Sequence, residues 1–349
     1  MPKVYIGPLL SWPYLPILYP NLGFQKKTKY LFINNAFSFY QFPVLEIVKE
    51  PQAADYFLLP HDYFWAMKEG EYLKQFIFLA ERHRKKIIIF THTDFDDDIP
   101  VANSIIFRTS QYRYKKKPNE IIMPAYVEDL AGERPVLFRH KSNKPVIGFC
   151  GWAGFKNFGQ KIRFYLKFFC LELIRFPWGY IRVVRRKGLW FRRKVLEILK
   201  NSSLVSTNFI IRKSFSSHSA TIEAPPEQAR REYIDNILNS DFVLAVKGDG
   251  NFSLRFYEAL SLGRIPLLVD TDCVLPLEDK INYNDFAVFI PWRDIDKIDV
   301  ILREFYDKLS PDKFLEMQRK AREAFKNYLR IDAFFKIVPQ LIKLHGQAS

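Results

Sequence analysis

The sequence predicts an α/β protein built from two Rossmann-like, doubly wound halves that face each other across a cleft. Three observations carry this. Short apolar stretches alternate with helix-periodic ones along the chain. One of them, Ile87-Ile88-Ile89-Phe90, is apolar on both faces, as a central strand of a parallel sheet must be. The alternation pauses in a polar interval around residues 130–144 and then starts again. A chain of 349 residues is long enough for each half to bury its own core.

In the first half, strands are expected at residues 4–6, 30–33, 55–59, 86–90, 104–107 and 121–123. A helix over 70–84 is predicted from the spacing of Tyr72, Phe76 and Leu79. After Gly132, Pro135 and Pro145, a strand at 146–150 runs into Gly151-Trp152 and opens the second half. There the expected order is a strand at 209–211, a helix at 227–239, a strand at 242–246, a helix at 253–262 and a strand at 265–269. A helical block over 311–344 closes the chain. The domains are therefore placed at 1–140 and 141–349, with a basic aromatic insert at 161–200.

Composition bounds the function. Hydrophobic residues make up 48% and aromatics 16%, which excludes a disordered chain. The formal charge of +15 suits nucleic acid, an anionic membrane face or a phosphorylated substrate. Cys150, Cys170 and Cys273 are sparse, odd in number and form no metal-ligand pair, so they read as buried free thiols in a reducing compartment. The start Met-Pro-Lys-Val-Tyr-Ile lacks the basic-then-apolar pattern of a signal peptide, and no apolar run is long enough to span a bilayer. A cytoplasmic protein is expected, free or resting on the inner leaflet.

The chemistry concentrates in residues 241–276. A buried strand ends at Val246, and Lys247-Gly248-Asp249-Gly250-Asn251 turns without bulky side chains. Ser253 is placed to cap the following helix, and Gly263 to stop it. Free amides at Asn251 and Ser253, with the helix dipole, favour an anion. Arg255 in the first turn adds a forked, permanently charged donor for a diphosphate. Glu258, on the same face, can accept both hydroxyls of a ribose. The bland alternative is an ordinary strand-loop-helix with Arg255 and Glu258 as a solvated pair.

A longer pattern weighs against that alternative. Ser240-Asp241-Phe242, Gly248-Asp249, Ser253-Leu254-Arg255, Glu258-Ala259, Gly263-Arg264-Ile265-Pro266, Asp270, Leu275-Pro276 and Asp285-Phe286 together resemble the exostosin family of glycosyltransferases. The spacing is continuous over about fifty residues. A fainter likeness lies in Ala54-Asp55-Tyr56-Phe57-Leu58-Leu59-Pro60 and Phe90-Thr91-His92. The resemblance implies a GT-B fold, a sugar-nucleotide donor, mostly UDP-linked, transfer with inversion, and no essential metal or cofactor. It implies donor binding by Arg255 and Glu258, to which the loop reading adds Lys247, Gly248, Asn251 and Ser253. Arg264 departs from the family's usual cysteine, Asn282-Tyr283-Asn284 replaces a more acidic-aromatic run, and the sequence reads as short and without the animal members' membrane anchor.

An inverting transfer needs a base for the acceptor hydroxyl, which should come from the first half across the cleft. His61 and Asp62 follow one strand, and His92, Asp94 and Asp96-Asp97-Asp98 follow the next. Asp62 or His61 is preferred, then Asp94. Packing or capping roles compete for every one of them, and the aspartates lack calcium-loop spacing.

Within 161–200, Lys161, Arg163, Lys167, Arg175, Arg182, Arg185, Arg186, Lys187, Arg192, Arg193, Lys194 and Lys200 interleave with aromatics, opposed only by Glu172 and Glu197. Such a pattern suits an interfacial segment on anionic lipid, where a lipid-linked acceptor would be presented. Core aromatics under a solvated cationic face would explain it equally well. The leading function is an inverting glycosyltransferase that acts on a glycan or lipid-linked glycan in surface polysaccharide or lipopolysaccharide synthesis. A nucleic-acid-binding protein and a catalytically silent glycan- or nucleotide-binding scaffold are the alternatives. No RNA-binding or recognition-helix signature supports the former, so nucleic acid is not expected as a partner.

Overall fold

The computed structural model describes residues 1–25, 30–175, 179–215 and 218–347. It contains two sheets in which every pairing is parallel. The first holds β1 (Lys3–Tyr5), β2 (Glu46–Ile47), β3 (Tyr56–Leu58), β4 (Ile87–Thr91), β5 (Ser104–Arg108) and β6 (Glu120–Ile122), in the order β2-β1-β3-β4-β5-β6. The second holds β7 (Val146–Trp152), β8 (Ser206–Arg212), β9 (Phe242–Ala245), β10 (Ile265–Asp270) and β11 (Val288–Pro291), in the order β11-β10-β9-β7-β8. Both sheets thus reverse direction between their first and third strands, at β1/β3 and at β7/β9. A crevice opens there at the carboxyl ends of the strands. This is the two-domain α/β architecture of the GT-B class.

The doubly apolar strand β4 behaves as its sequence requires. Ile87 and Ile89 enter a core with Leu73, Phe76 and Ala80 of helix Gly70–Arg82, while Ile88 and Phe90 enter the large core on the other face. There the Phe90 ring stacks on Phe107 at 4.5 Å. Strand β9 is likewise split: Phe242 and Leu244 face one core, Val243 another. Gly263 follows helix Leu254–Ser261 with φ of +61°, the left-handed conformation in which a helix ends most easily on glycine.

Three elements differ from expectation. Residues 30–33 are not a strand: Tyr30 forms an isolated bridge to His218, and Ile33–Phe37 is a 3-10 helix. The true second strand is the two-residue edge β2, too short to show any alternation. The second half also contains β11 and helix Ile298–Lys308. The closing helical block is divided: Pro311–Ala324 passes through a π-turn at Phe325–Leu329 before helix Ile331–Gln347.

The last helix packs on the first half. Phe334, Phe335, Val338, Leu341 and Ile342 join the core that holds Phe37, Tyr40 and Phe107 of the first half. Tyr40 packs on Phe335 at 4.9 Å, and Lys86 Nζ donates to His345 O at 3.0 Å. The apolar face of the helix is thus buried in a core that residues of the first half share. Arg322 and Arg330 both pair with buried Asp129 where the chain crosses back.

Candidate functional site

Helix Leu254–Ser261 starts beside the β7/β9 crevice. Arg255, in its first turn, reaches back across the crevice: its Nη2 donates to Cys150 O at 2.9 Å and its guanidinium lies 4.4 Å from the Phe149 ring centroid. The approach is close enough that a Cβ at Gly151 would stand 2.5 Å from that Nη2. Glu258 lies one turn further on. Burial pushes its carboxyl pKa up, against the hydrogen bond it receives from the Tyr233 hydroxyl and the positive charge of Arg255. Tyr233, on helix Pro226–Leu238, carried no sequence signal: an amphipathic helix offers several polar positions, and only the packed structure aims one at a carboxylate.

The other expected donor-loop residues are arranged differently. Lys247 is buried; its ammonium donates to Tyr112 Oη at 2.9 Å and to Val184 O, and burial lowers its pKa to about 7. The Asn251 amide donates to Ser110 Oγ at 2.9 Å. Its side chain donates to the carbonyls of Gln111, Thr271 and Asp272 and accepts from Thr271 Oγ1 at 2.7 Å. Gly248 N–H donates to Phe252 O at 3.2 Å. Ser253 stands at the cap position but makes no capping bond. Lys247 and Asn251 are therefore struts between the two halves. Buried polar groups take whatever partners the closed interface supplies, which a strand-loop-helix pattern does not reveal. Arg113, paired through both nitrogens with Glu278 at 2.8 Å, adds another strut.

Across the cleft, His61 is fully buried, with Nε2 accepting from Leu10 N–H and Nδ1 donating to Pro13 O, both at 3.0 Å. Burial lowers its pKa and keeps the ring neutral. Asp62 caps the next helical turn through Phe64 N–H at 3.0 Å and accepts His92 N–H at 2.9 Å. Both preferred base candidates are occupied in holding backbone. Asp94 is placed otherwise. It packs on the donor loop, so that a Cβ at Gly250 would lie 2.8 Å from its Oδ1. Burial and then Asp249 raise its pKa, against the Gly250 amide and Lys187. His92, absent from the preferred set, stands with Nδ1 3.2 Å from Asp62 Oδ2 and its side chain 34% exposed. Asp96 and Asp98 are paired with Lys115, and Asp96 also with Arg185.

The basic insert is mostly helical, as Phe158–Arg175, Gly179–Val184 and Gly188–Asn201. The side chains of Lys167, Cys170, Glu172 and Arg175, with the neighbouring aromatics Phe168, Phe169, Phe176 and Trp178, lie outside the described residues. Several of the described cations are paired: Arg185 turns inward to Asp96 and Tyr114 and Arg193 to Ala153 O, while Lys187 with Asp249 and Lys194 with Asp296 form ion pairs at the surface. On helix Phe158–Arg175, by contrast, Phe158, Ile162, Tyr165 and Leu166 are exposed along one stripe. Of the cysteines, Cys150 and Cys273 are buried free thiols. Among the described residues, no helix is long and apolar enough to cross a membrane.

Residues 165–305, which contain the loop 247–251 and helix Leu254–Ser261, match the model of the Exostosin GT47 domain. An Exostosin-1 homolog of Caenorhabditis elegans is 31% identical over 104 residues, covering 30% of this chain and 26% of that one. The probable beta-1,4-xylosyltransferase IRX10L of Arabidopsis thaliana is 32% identical over 87 residues, covering 25% and 20% respectively. The matches thus span about a quarter of these relatives or less. Among solved structures, the Anabaena protein HepE in complex with UDP aligns over 98% of this chain and 100% of that one, with 10% identity and a TM-score of 0.42.

Proposed function

We propose that this chain, which carries an exostosin GT47 domain over residues 165–305, is a glycosyltransferase that takes its sugar from a nucleoside-diphosphate donor, UDP-linked, and inverts the anomeric centre. The observation that carries the reading is the pairing of Arg255 and Glu258 on one helix face at the β7/β9 crevice, inside the matched domain. Arg255 neutralises the diphosphate and Glu258 accepts from the ribose through the carboxylate oxygen that Tyr233 does not hold. The acceptor hydroxyl attacks the anomeric carbon from the face opposite the diphosphate. As the new C–O bond forms, the old one breaks and its electron pair leaves with the phosphate, where the arginine stabilises the charge.

Asp94 takes the proton in this reading. It stands against the donor loop, and a carboxylate whose pKa is raised by burial is a better base than a solvated one. The acceptor is a glycan or lipid-linked glycan of a surface polysaccharide or lipopolysaccharide.

Calorimetric titration with UDP tests the donor assignment. Arg255→Ala and Glu258→Ala should each weaken UDP by at least about tenfold with the fold intact. Wild-type affinity in both variants would refute it. Proton NMR of the product's anomeric centre tests inversion.

A membrane-surface role is supported by the stripe Phe158, Ile162, Tyr165 and Leu166, with exposures of 73, 43, 38 and 60%, beside Lys161 and Arg163. Replacing Phe158, Ile162 and Leu166 together by Ser should abolish co-sedimentation with anionic liposomes. Unchanged sedimentation would end that reading.

A further inference from the structure

A second cation reaches the donor crevice, and it comes from the basic insert. Helix Gly188–Asn201 begins against the donor loop: Gly188 N–H donates to Gly248 O at 3.2 Å, and a Cβ at 188 would fall 1.9 Å from Lys247 O. This contact sets the helix so that Arg192, one turn in, points inward. Its Nη2 donates to Lys247 O at 3.0 Å, with 3.4 Å contacts from its guanidinium to Val246 O and Trp152 O. Trp152 ends β7 and Val246 follows β9, so Arg192 spans the same reversal point that Arg255 reaches through Cys150 O.

The two guanidiniums are close enough to repel. Burial first, and then the charge of Arg255, push the Arg192 pKa down to about 9. Among the described residues neither has a carboxylate ion-pair partner. Asp249 is paired with Lys187, and Glu258 is bonded by Tyr233. The Nε atoms of both arginines are buried without a hydrogen-bond partner. Two half-buried, adjacent cations without a carboxylate ion-pair partner and with spare donors form a site short of an anion.

We propose that Arg192 and Arg255 form a two-arginine clamp for a diphosphate, with Arg192 contributed by the basic insert. The inference rests on the donor-site reading and adds a residue to it. A diphosphate supplies the charge that offsets two arginines and the oxygens that their free N–H groups need. The insert is then part of the donor site, and its position on the loop matters to catalysis as well as to any surface role.

The experiment titrates wild-type protein, Arg192→Met, Arg192→Lys and Arg186→Met with UDP, UMP and inorganic pyrophosphate at one ionic strength. Arg186 stacks on Trp190 at 4.3 Å and controls for the loss of one charge. Arg192→Met should weaken UDP and pyrophosphate by roughly ten- to a hundredfold and UMP by less, while Arg186→Met changes none of them. Arg192→Lys should recover only part of the affinity, because an ammonium lacks the fork. The thermal midpoint of the ligand-free Arg192→Met protein should hold or rise, since a buried repulsion is removed; a purely structural arginine predicts a fall. If that variant does not fold, Arg192→Lys decides by the same affinities.

Wild-type UDP affinity in the Arg192 variants, with loss in Arg255→Ala, would overturn the clamp and leave the donor reading standing. Pyrophosphate binding that depends on Arg192, with no binding of any nucleoside diphosphate, would keep the clamp and remove the donor reading. A wild-type protein that binds none of these ligands would refute both.

Discussion

The two halves of the molecule share a strand order and differ in what fills the crevice that this order creates. In the first half the β1/β3 crevice is plugged. His61, following β3, bonds to Leu10 and Pro13 beyond β1, and both of its ring nitrogens are used within the fold. In the second half the β7/β9 crevice is bordered by Arg255 and Arg192, whose Nε atoms have no partner. Topology therefore supplies two equivalent crevices, and the side chains that border them differ in charge. From the first half, Asp94 stands against the loop of the second at Gly250.

This contrast can be broken or sharpened by substitution. The largest effect should come from Asp94→Asn, which removes the base of the proposed reaction while keeping the packing on Gly250. Turnover should fall by about 10²- to 10⁴-fold with UDP affinity unchanged. A small kinetic loss would move the base to another residue, of which His92 beside Asp62 is the best placed.

Next in size is Gly188→Ala. The added methyl has no room beside Lys247 O, so either the helix withdraws from the loop or the loop shifts. Stability should fall by about 3 kcal/mol in urea denaturation, and UDP affinity should fall with it. Loss of stability with full UDP affinity would separate the insert from the donor site.

The smallest effect concerns the plugged crevice. Burial lowers the folded-state pKa of His61 below 6.5, so its neutral ring contributes stability above that value, and this is lost as pH falls through the folded pKa. His61→Gln can keep both hydrogen bonds and does not titrate. It should flatten the acid side of the stability curve below about pH 6.5 without altering UDP affinity. An unchanged acid limb would mean that the crevice does not depend on a neutral histidine.

Much of the fold was legible because burial on both faces leaves a direct mark on sequence. Ile87-Ile88-Ile89-Phe90 reads as a central strand in any context, and the run from Ser240 to Pro266 carries strand, loop, helix and stop in order. Edge strands leave no such mark, and Tyr30 with its neighbours imitated one through composition alone. Helix Leu254–Ser261 was legible, and Arg255 and Glu258 need only helical spacing to share a face. That Lys247 and Asn251 reach Tyr112 and Gln111 was not legible, because a loop polar residue can face a ligand or a second domain with identical spacing. Arg192 was visible only as one of many cations.

The sequence by itself determined the two α/β halves, the place of the helix that carries Arg255 and Glu258, and the likeness to the exostosin family, all of which depend on local pattern. Only the tertiary structure decided which cations turn inward, that the last helix returns to the first half, and that His61 is a plug while Asp94 stands against the donor loop. The physical reason is that periodicity and propensity act between residues near in sequence, whereas the partner of a buried charge is set by whatever the closed halves bring to it.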